Sequence, residues 1–283
     1  MSGQGPVNPP MVHPGVVSAE RVADVPVRAR DLVIELHAGQ QVQAAICAAV
    51  ADAGCDAAWV DVAGLVCAPF AYVMPAASPD GARVAWYSDT YRPDGPVRVS
   101  VGGISVGRLG QGDFTHCHGL WSFADGTALG HMLAPDCTVA EPVTLRGVGL
   151  CGGRFDRLPD GETCFDLFRA CAVGDPVRDA DAVMMTIRPN MDIVETIEAV
   201  AQRHGIRNGA IMGLGSVNGA RFSDAPDMPS AITEFIITRG QLTEGAAQIA
   251  LSAVDMAGDV FSGTVQRGGV PVSITAEIVV RAI

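Results

Sequence analysis

The order of apolar and polar positions divides most of the chain into two similar stretches. Residues 32–36, LVIEL, read as a strand, and His37-Ala38-Gly39 as a turn. Val42, Ile46 and Val50 recur every four residues, which predicts a helix over about 41–53 with one buried stripe. Gly54 is placed to close that helix, and AWVDVAGLV at 58–66 predicts a second buried strand. The pattern returns 151 residues later. VMMTI (183–187) is a strand, Asp192 caps a helix carrying Ile193, Ile197 and Val200, Gly205 ends it, and GAIMGLGSV (209–217) is the next strand. Val42 matches Ile193, Ile46 matches Ile197, Gly54 matches Gly205 and Val66 matches Val217. A constant offset over this span points to internal duplication.

The rest of the chain fits around these stretches. Residues 1–25 are rich in Pro, Gly and Val without clear periodicity, and predict an extended arm or a poorly ordered terminus. In 151–182, Asp160-Gly161 makes a turn, Thr163–Phe168 a short strand, and VGDPVRDADA a linker. The expected division is therefore an arm at 1–25, a first domain at 26–175 and a second at 176–283. Both would be α+β, with a strand and helix followed by antiparallel sheet.

One stretch of the first domain carries chemistry. GDFTHCHGLWSFADGTALGHM (112–132) holds three of the six histidines. On a strand His116 and His118 point to one face, because side chains alternate. Asp125-Gly126 signals a tight hairpin turn. With those two residues as the loop, Leu120 stands opposite His131 and all three imidazoles share a face. His118 and His131 are then diagonal neighbours roughly 7–8 Å apart. Three neutral imidazoles with an open fourth position form the ligand set of a catalytic zinc site. The plainer alternative is three satisfied polar side chains on a half-exposed strand. Matching GTALGHM (126–132) to GDVFSGT (258–264) sets Gln248, Ala250 and Gly263 in place of the histidines, so the second stretch has lost the set.

Composition narrows the class of function. At 48% apolar and 18% charged residues, the chain predicts a packed core. All 19 basic residues are arginine, and the net charge of −12 argues against sequence-independent nucleic-acid binding, which needs phosphate neutralisation. None of the eight cysteines forms C-x-x-C, there is no apolar leader, and no run suits a bilayer. Free thiols in a cytoplasmic protein are expected, with Cys117 turned away from the metal into packing.

The run IRPNMDIVETIEAVAQRHGIRNGAIMGLGSVNGARF (187–222) resembles the PPC domain, the "plants and prokaryotes conserved" domain also called DUF296. Those domains open with a strand, a glycine turn and a helix, and then a strand ending in G-S-V. They continue to an H-x-H strand, a D-G turn and a G-H pair, which His116, His118, Asp125, Gly126, Gly130 and His131 supply here. FDRLPDGETCFDLF (155–168) also resembles the tail that follows the domain in bacterial members. The resemblance implies two tandem copies after residue 26. In plants the domain accompanies AT-hook motifs centred on R-G-R-P, which this sequence lacks. The fold is also similar to acetolactate decarboxylase and to a zinc-dependent ester hydrolase family, which implies zinc on His116, His118 and His131. Single-copy bacterial members are trimers, so a trimer is one arrangement implied here. Glu277 looks like the family's late-strand glutamate, with Val148 in its place in the first copy. The accompanying acid is either lent by the second copy or missing.

These observations lead to an expected metal-dependent lyase, decarboxylase or hydrolase of a small carboxylate-bearing metabolite. Zn2+ or another divalent transition metal would polarise a carbonyl or activate water. Arg108 and Arg146 are candidates to grip the carboxylate, each with a surface salt bridge as the plainer role. Glu35 is a candidate acid/base. Tyr72, Tyr87, Tyr91, Trp86 and Trp121 are candidate pocket residues. A non-catalytic regulatory or DNA-associated PPC-type module, or a binding scaffold with a vestigial site, are the competing readings.

Overall fold

A computed structural model of the chain describes residues 5–283. In chain order the elements are β1 (Val22–Leu36), α1 (Val42–Asp52) and β2 (Ala57–Asp61). Four two-residue strands follow: β3 (Val66–Cys67), β4 (Tyr72–Val73), β5 (Pro75–Ala76) and β6 (Trp86–Tyr87). Next come β7 (Val97–Leu109), β8 (Gly112–Phe123), β9 (Gly126–Met132), β10 (Val143–Cys151), β11 (Gly153–Pro159) and β12 (Asp166–Ala172). The second half holds β13 (Ala182–Ile187), α2 (Ile193–Arg203), β14 (Gly209–Val217), β15 (Thr233–Thr243), β16 (Ala246–Asp255), β17 (Val260–Thr264) and β18 (Val272–Ala282).

The helices form where the pattern places them. Asp192 accepts a hydrogen bond from the Glu195 amide and caps α2. Gln41 plays the same part for α1 through the Ala44 amide. Gly54 and Gly205 follow the helix ends at φ of +69° and +71°, a conformation that glycine reaches without strain. Elsewhere the expected bounds move. β2 stops at Asp61, because Gly64 turns the chain at φ +87°. The expected strand at 163–168 is β12, beginning at Asp166 after the Asp160–Cys164 turn.

β1 joins the two halves. Its residues 28–36 pair with β10, and its residues 22–27 pair with β13. The first half then runs β1-β10-β2-β7-β8-β9 and the second β13-β18-β14-β15-β16-β17. Both have the same order: the last strand lies between the first and second. Part of the expected arm therefore belongs to the sheet of the second half, since Val22–Val25 hydrogen-bond to β13. The preceding segment lies against the second half as well. Asn8 donates to the Pro229 carbonyl, Asn190 exchanges bonds with the Met11 backbone, and His13 is buried beside the Ser273 carbonyl.

Three cores hold these layers. Val42, Ile46 and Val50 of α1 pack on the outer face of the first sheet, and Ile193, Ile197 and Val200 of α2 on that of the second. A third core lies between the sheets, where Trp59, Leu129, Leu150, Phe155 and Phe168 meet Leu214, Ile236, Val254 and Val279. β8 and β9 thus lie against β14, β15 and β16, with the histidine face turned inward.

Candidate metal centre

The β7–β8–β9 meander sets the histidines in one patch. His118 stands directly opposite His131, and Gly103 and Ser105 oppose His118 and His116. The expected register is off by two residues: Phe123 pairs with Gly126, so Ala124-Asp125 form the turn, and neither Asp125 nor Gly126 has positive φ. A shift of two preserves side-chain parity, so the imidazoles still share a face. Cys117 points the other way into the core under α1. One ring nitrogen from each of His116, His118 and His131 can be chosen so that all lie within 4.8 Å of one another.

Proton accounting decides what this cluster suits. His118 Nδ1 lies 2.9 Å from the Phe235 carbonyl oxygen, which only accepts, so Nδ1 carries the hydrogen. His116 Nδ1 lies 2.5 Å from Glu277 Oε2 and donates to the carboxylate. Rings whose Nδ1 hydrogens are so held turn their Nε2 atoms toward each other, and the two Nε2 atoms are 3.0 Å apart. A cation belongs there. Two nitrogens on a tetrahedral zinc would stand about 3.3 Å apart, given bonds of about 2.05 Å. Burial first, then the neighbouring imidazoles, pushes His118 well below the usual histidine range. Burial, His116 and Arg157 do the same to His131, so neither ring holds an extra proton at neutral pH. Among the described residues, His131 Nδ1 is buried without a partner. The residues fit a metal ion: converging lone pairs, an orphaned ring nitrogen, and hydrogen-bond acceptors behind two of the rings.

Both of those acceptors come from the second sheet, Glu277 from β18 and Phe235 from β15. The same sheet closes the far wall of a cavity of about 90 Å³ with Gly215, Ser216, Thr233, Glu234 and Thr275. Phe114, Phe165, Leu167 and Phe168 make the apolar side. Trp86 and Tyr87, from the β5–β6 ribbon, border it, with the Tyr87 ring edge-on to His131 at 5.5 Å. Burial pushes the Tyr87 phenol up to about 12, although part of its ring meets solvent. Burial alone pushes Glu234 well above the carboxylate range, and its Oε2 has no partner among the described residues.

Residues 175–283 match the Plants and Prokaryotes Conserved (PCC) domain. The PCC span is the half that supplies Glu277, Phe235 and Glu234; the three histidines lie outside it. No curated protein matches the sequence. Among solved structures, the chain is similar to a metal-containing protein from Archaeoglobus fulgidus (16% identity, TM-score 0.40, 49% of this chain and 92% of that one). It is also similar to a plant- and prokaryote-conserved protein from Pyrococcus horikoshii (12% identity, TM-score 0.40, 56% and 100%). A third is a Ralstonia eutropha protein named for DNA binding (20% identity, TM-score 0.36, 50% and 90%).

The structure brings the three predicted ligands together but leaves the predicted helpers outside. Arg108 lies on the opposite face of β7, since Ser105 and Gly103 hold the histidine face; it is exposed beside Asp113 and Asp156. Arg146 shares the row of Asp61, Gly103 and His118, but three strands away, roughly 14 Å at ordinary strand spacing. Glu35 is exposed on β1, one strand further, opposite Thr144. Strand register also sets Thr144, not Val148, at the counterpart of Glu277: Glu35 opposes Thr144 as Thr186 opposes Glu277. Likewise Ala250 opposes Thr264, not Gly263. Of the aromatic candidates, Trp86 and Tyr87 line the cavity, Tyr72 and Trp121 are core, and Tyr91 stacks on Tyr72.

The guanidinium that does line the cavity is Arg157, on β11. Its head lies 4.5 Å from the centre of the Phe114 ring, and its Nε donates to the Asp166 carbonyl. No carboxylate pairs with it among the described residues. Nothing in the local sequence marked Arg157 or Glu234, since the hairpin and the second sheet reach the histidines only through tertiary packing.

Proposed function

We propose that the chain is a metal-dependent enzyme built from two tandem copies of one fold, only the first of which keeps the metal ligands. His116, His118 and His131 hold a divalent transition metal, zinc by the all-imidazole donor set. The reaction is a lyase, decarboxylase or hydrolase reaction on a small carboxylate-bearing metabolite. When bound, the metal supplies Lewis acidity toward a substrate carbonyl or bound water. The chain's own residues do the rest. Glu277 and the Phe235 carbonyl fix the proton on each Nδ1 and aim each Nε2. Arg157, without a carboxylate of its own, grips the substrate carboxylate. The apolar walls exclude water, and Glu234 sits in the cavity as a neutral carboxyl able to give a proton. The observation that carries this reading is the 3.0 Å approach of two Nε2 atoms whose rings are each tied at Nδ1. The net charge of −12 opposes the DNA-associated reading. A cytoplasmic homo-oligomer, with a trimer as its first form to test, completes the proposal.

The test is the metal content of the untagged protein beside a His116→Ala/His118→Ala double variant. About one transition-metal ion per chain, lost in the variant, supports the reading. No metal, and none taken up from added zinc, overturns it.

A further inference from the structure

One pair of side chains has a chemistry that the metal centre does not use. Cys55 and Cys151 come from distant parts of the sequence, and their Sγ atoms are 3.5 Å apart. This is the thiol–thiol contact among the described residues. Of the other six cysteines, Cys47 on α1 and Cys67, Cys117 and Cys137 are buried in the core of the first sheet.

The backbone around the pair is fixed from both sides. Cys55 follows the positive-φ Gly54 that ends α1, and its amide bonds to the Val50 carbonyl. Asp56 then bonds through its amide to the Leu150 carbonyl and through its carboxylate to the Gly152 amide. These bonds clamp the helix–strand turn to the end of β10 directly beside the two thiols. Gly149 completes the seat: a Cβ there would come within 2.4 Å of Cys55 Sγ, so the bare Cα gives the thiol its room. The Cys55 side chain is thereby confined between Gly149 and Cys151. Both residues are half-buried, so a small oxidant reaches the sulfurs while they stay poised.

We infer that Cys55 and Cys151 are an oxidative modification site that takes up a reversible disulfide. Two S–H bonds break and one S–S bond forms. The two electrons and two protons pass to a peroxide, which leaves as two waters. Closing the remaining gap takes about 1.5 Å, since a disulfide bond is about 2.05 Å long, and rotation of the two side chains supplies it. The Cys55 thiol is pushed up to about 12, by burial first and then by Cys151, so oxidation is slow without excess peroxide. The bond would close a loop holding every strand from β2 to β10, and with them all three histidines. It would also lock the root of β11, which carries Arg157.

The test oxidises the folded protein with hydrogen peroxide, blocks remaining thiols, and maps non-reduced peptides by mass spectrometry. Exposed Cys164 reports that the oxidant arrived. The expected result is a Cys55–Cys151 peptide two hydrogens lighter than its parts, absent in Cys55→Ser and in Cys151→Ser and retained in Cys164→Ser. The Tm should rise by about 5–10 °C on oxidation and fall back with dithiothreitol. Cys164 oxidised while Cys55 and Cys151 remain alkylatable overturns the inference, as does a link from either to a different cysteine.

Discussion

Glu277 touches no substrate in this arrangement; it acts through His116. Its side chain is buried and accepts from the Nδ1 hydrogen, which fixes the tautomer that leaves Nε2 free. Outer partners of this kind are worth 10- to 100-fold in metal affinity. Glu277→Gln should weaken zinc binding by about that factor, read by competition with a chromophoric chelator; unchanged affinity would remove Glu277 from the site. Arg157 makes the opposite prediction. Arg157→Met should leave metal stoichiometry intact and abolish the heat of binding of small carboxylates such as pyruvate to the zinc-loaded protein, measured by calorimetry. Glu234 gives a pH signature. Its pKa is raised by folding, so both states are protonated well below 4.5 and the carboxyl then has no effect on stability. As pH rises past 4.5 the unfolded chain ionises first and the folded state loses stability until the folded pKa is passed. Glu234→Gln should therefore raise the Tm of the metal-free protein at pH 8, with the difference shrinking toward pH 4. A constant difference across that range would show that Glu234 is not buried as an acid.

The elements themselves follow local rules. Asp192 accepts from the Glu195 amide and, with its other oxygen, from the Val270 amide. It therefore caps α2 and ties the helix to the segment that leads into β18. Asp192→Ala should cost about 1–2 kcal/mol, seen as a lower urea midpoint with an unchanged slope. The helices were legible because one turn repeats every 3.6 residues and a cap lies within three residues of what it caps. The β8–β9 hairpin was half legible. Strand alternation gave the shared face of the histidines, but Asp125-Gly126 misplaced the turn, since neither residue takes the positive φ that makes that dipeptide a signal. Face survived an error of two residues; an error of one would have sent His131 into the other core.

At the scale of the molecule, the two halves share a core and should therefore unfold as one cooperative unit. Leu214 is fully buried between the sheets, in the half that holds no tryptophan, while Trp59, Trp86 and Trp121 all lie in the other. Leu214→Ala should cost about 2–5 kcal/mol. Its effect should appear equally in tryptophan fluorescence and in far-UV circular dichroism. A fluorescence midpoint that stays in place while the dichroism midpoint falls would show that the halves unfold independently. The same packing explains why the groups around the histidines differ from those expected. Arg108, Arg146 and Glu35 are near the histidines only along the chain or along the first sheet. The residues that surround the histidines sit 161 positions away for Glu277, 117 for Phe235, and on the folded-back β11–β12 hairpin for Arg157.

What the sequence determined by itself was therefore what short-range periodicity carries: two strand–helix–strand stretches at a fixed offset, their caps, and three imidazoles on one face of one hairpin. What the tertiary structure decided was which groups stand behind those imidazoles and which lie across the cavity from them. That choice depends on how two sheets stack and on the crossing of β1 from one sheet to the other, both set by burial of apolar surface across more than a hundred residues. Burial of that kind is non-directional, so it leaves no local pattern from which Glu277, Glu234 or Arg157 could be read as partners of His116.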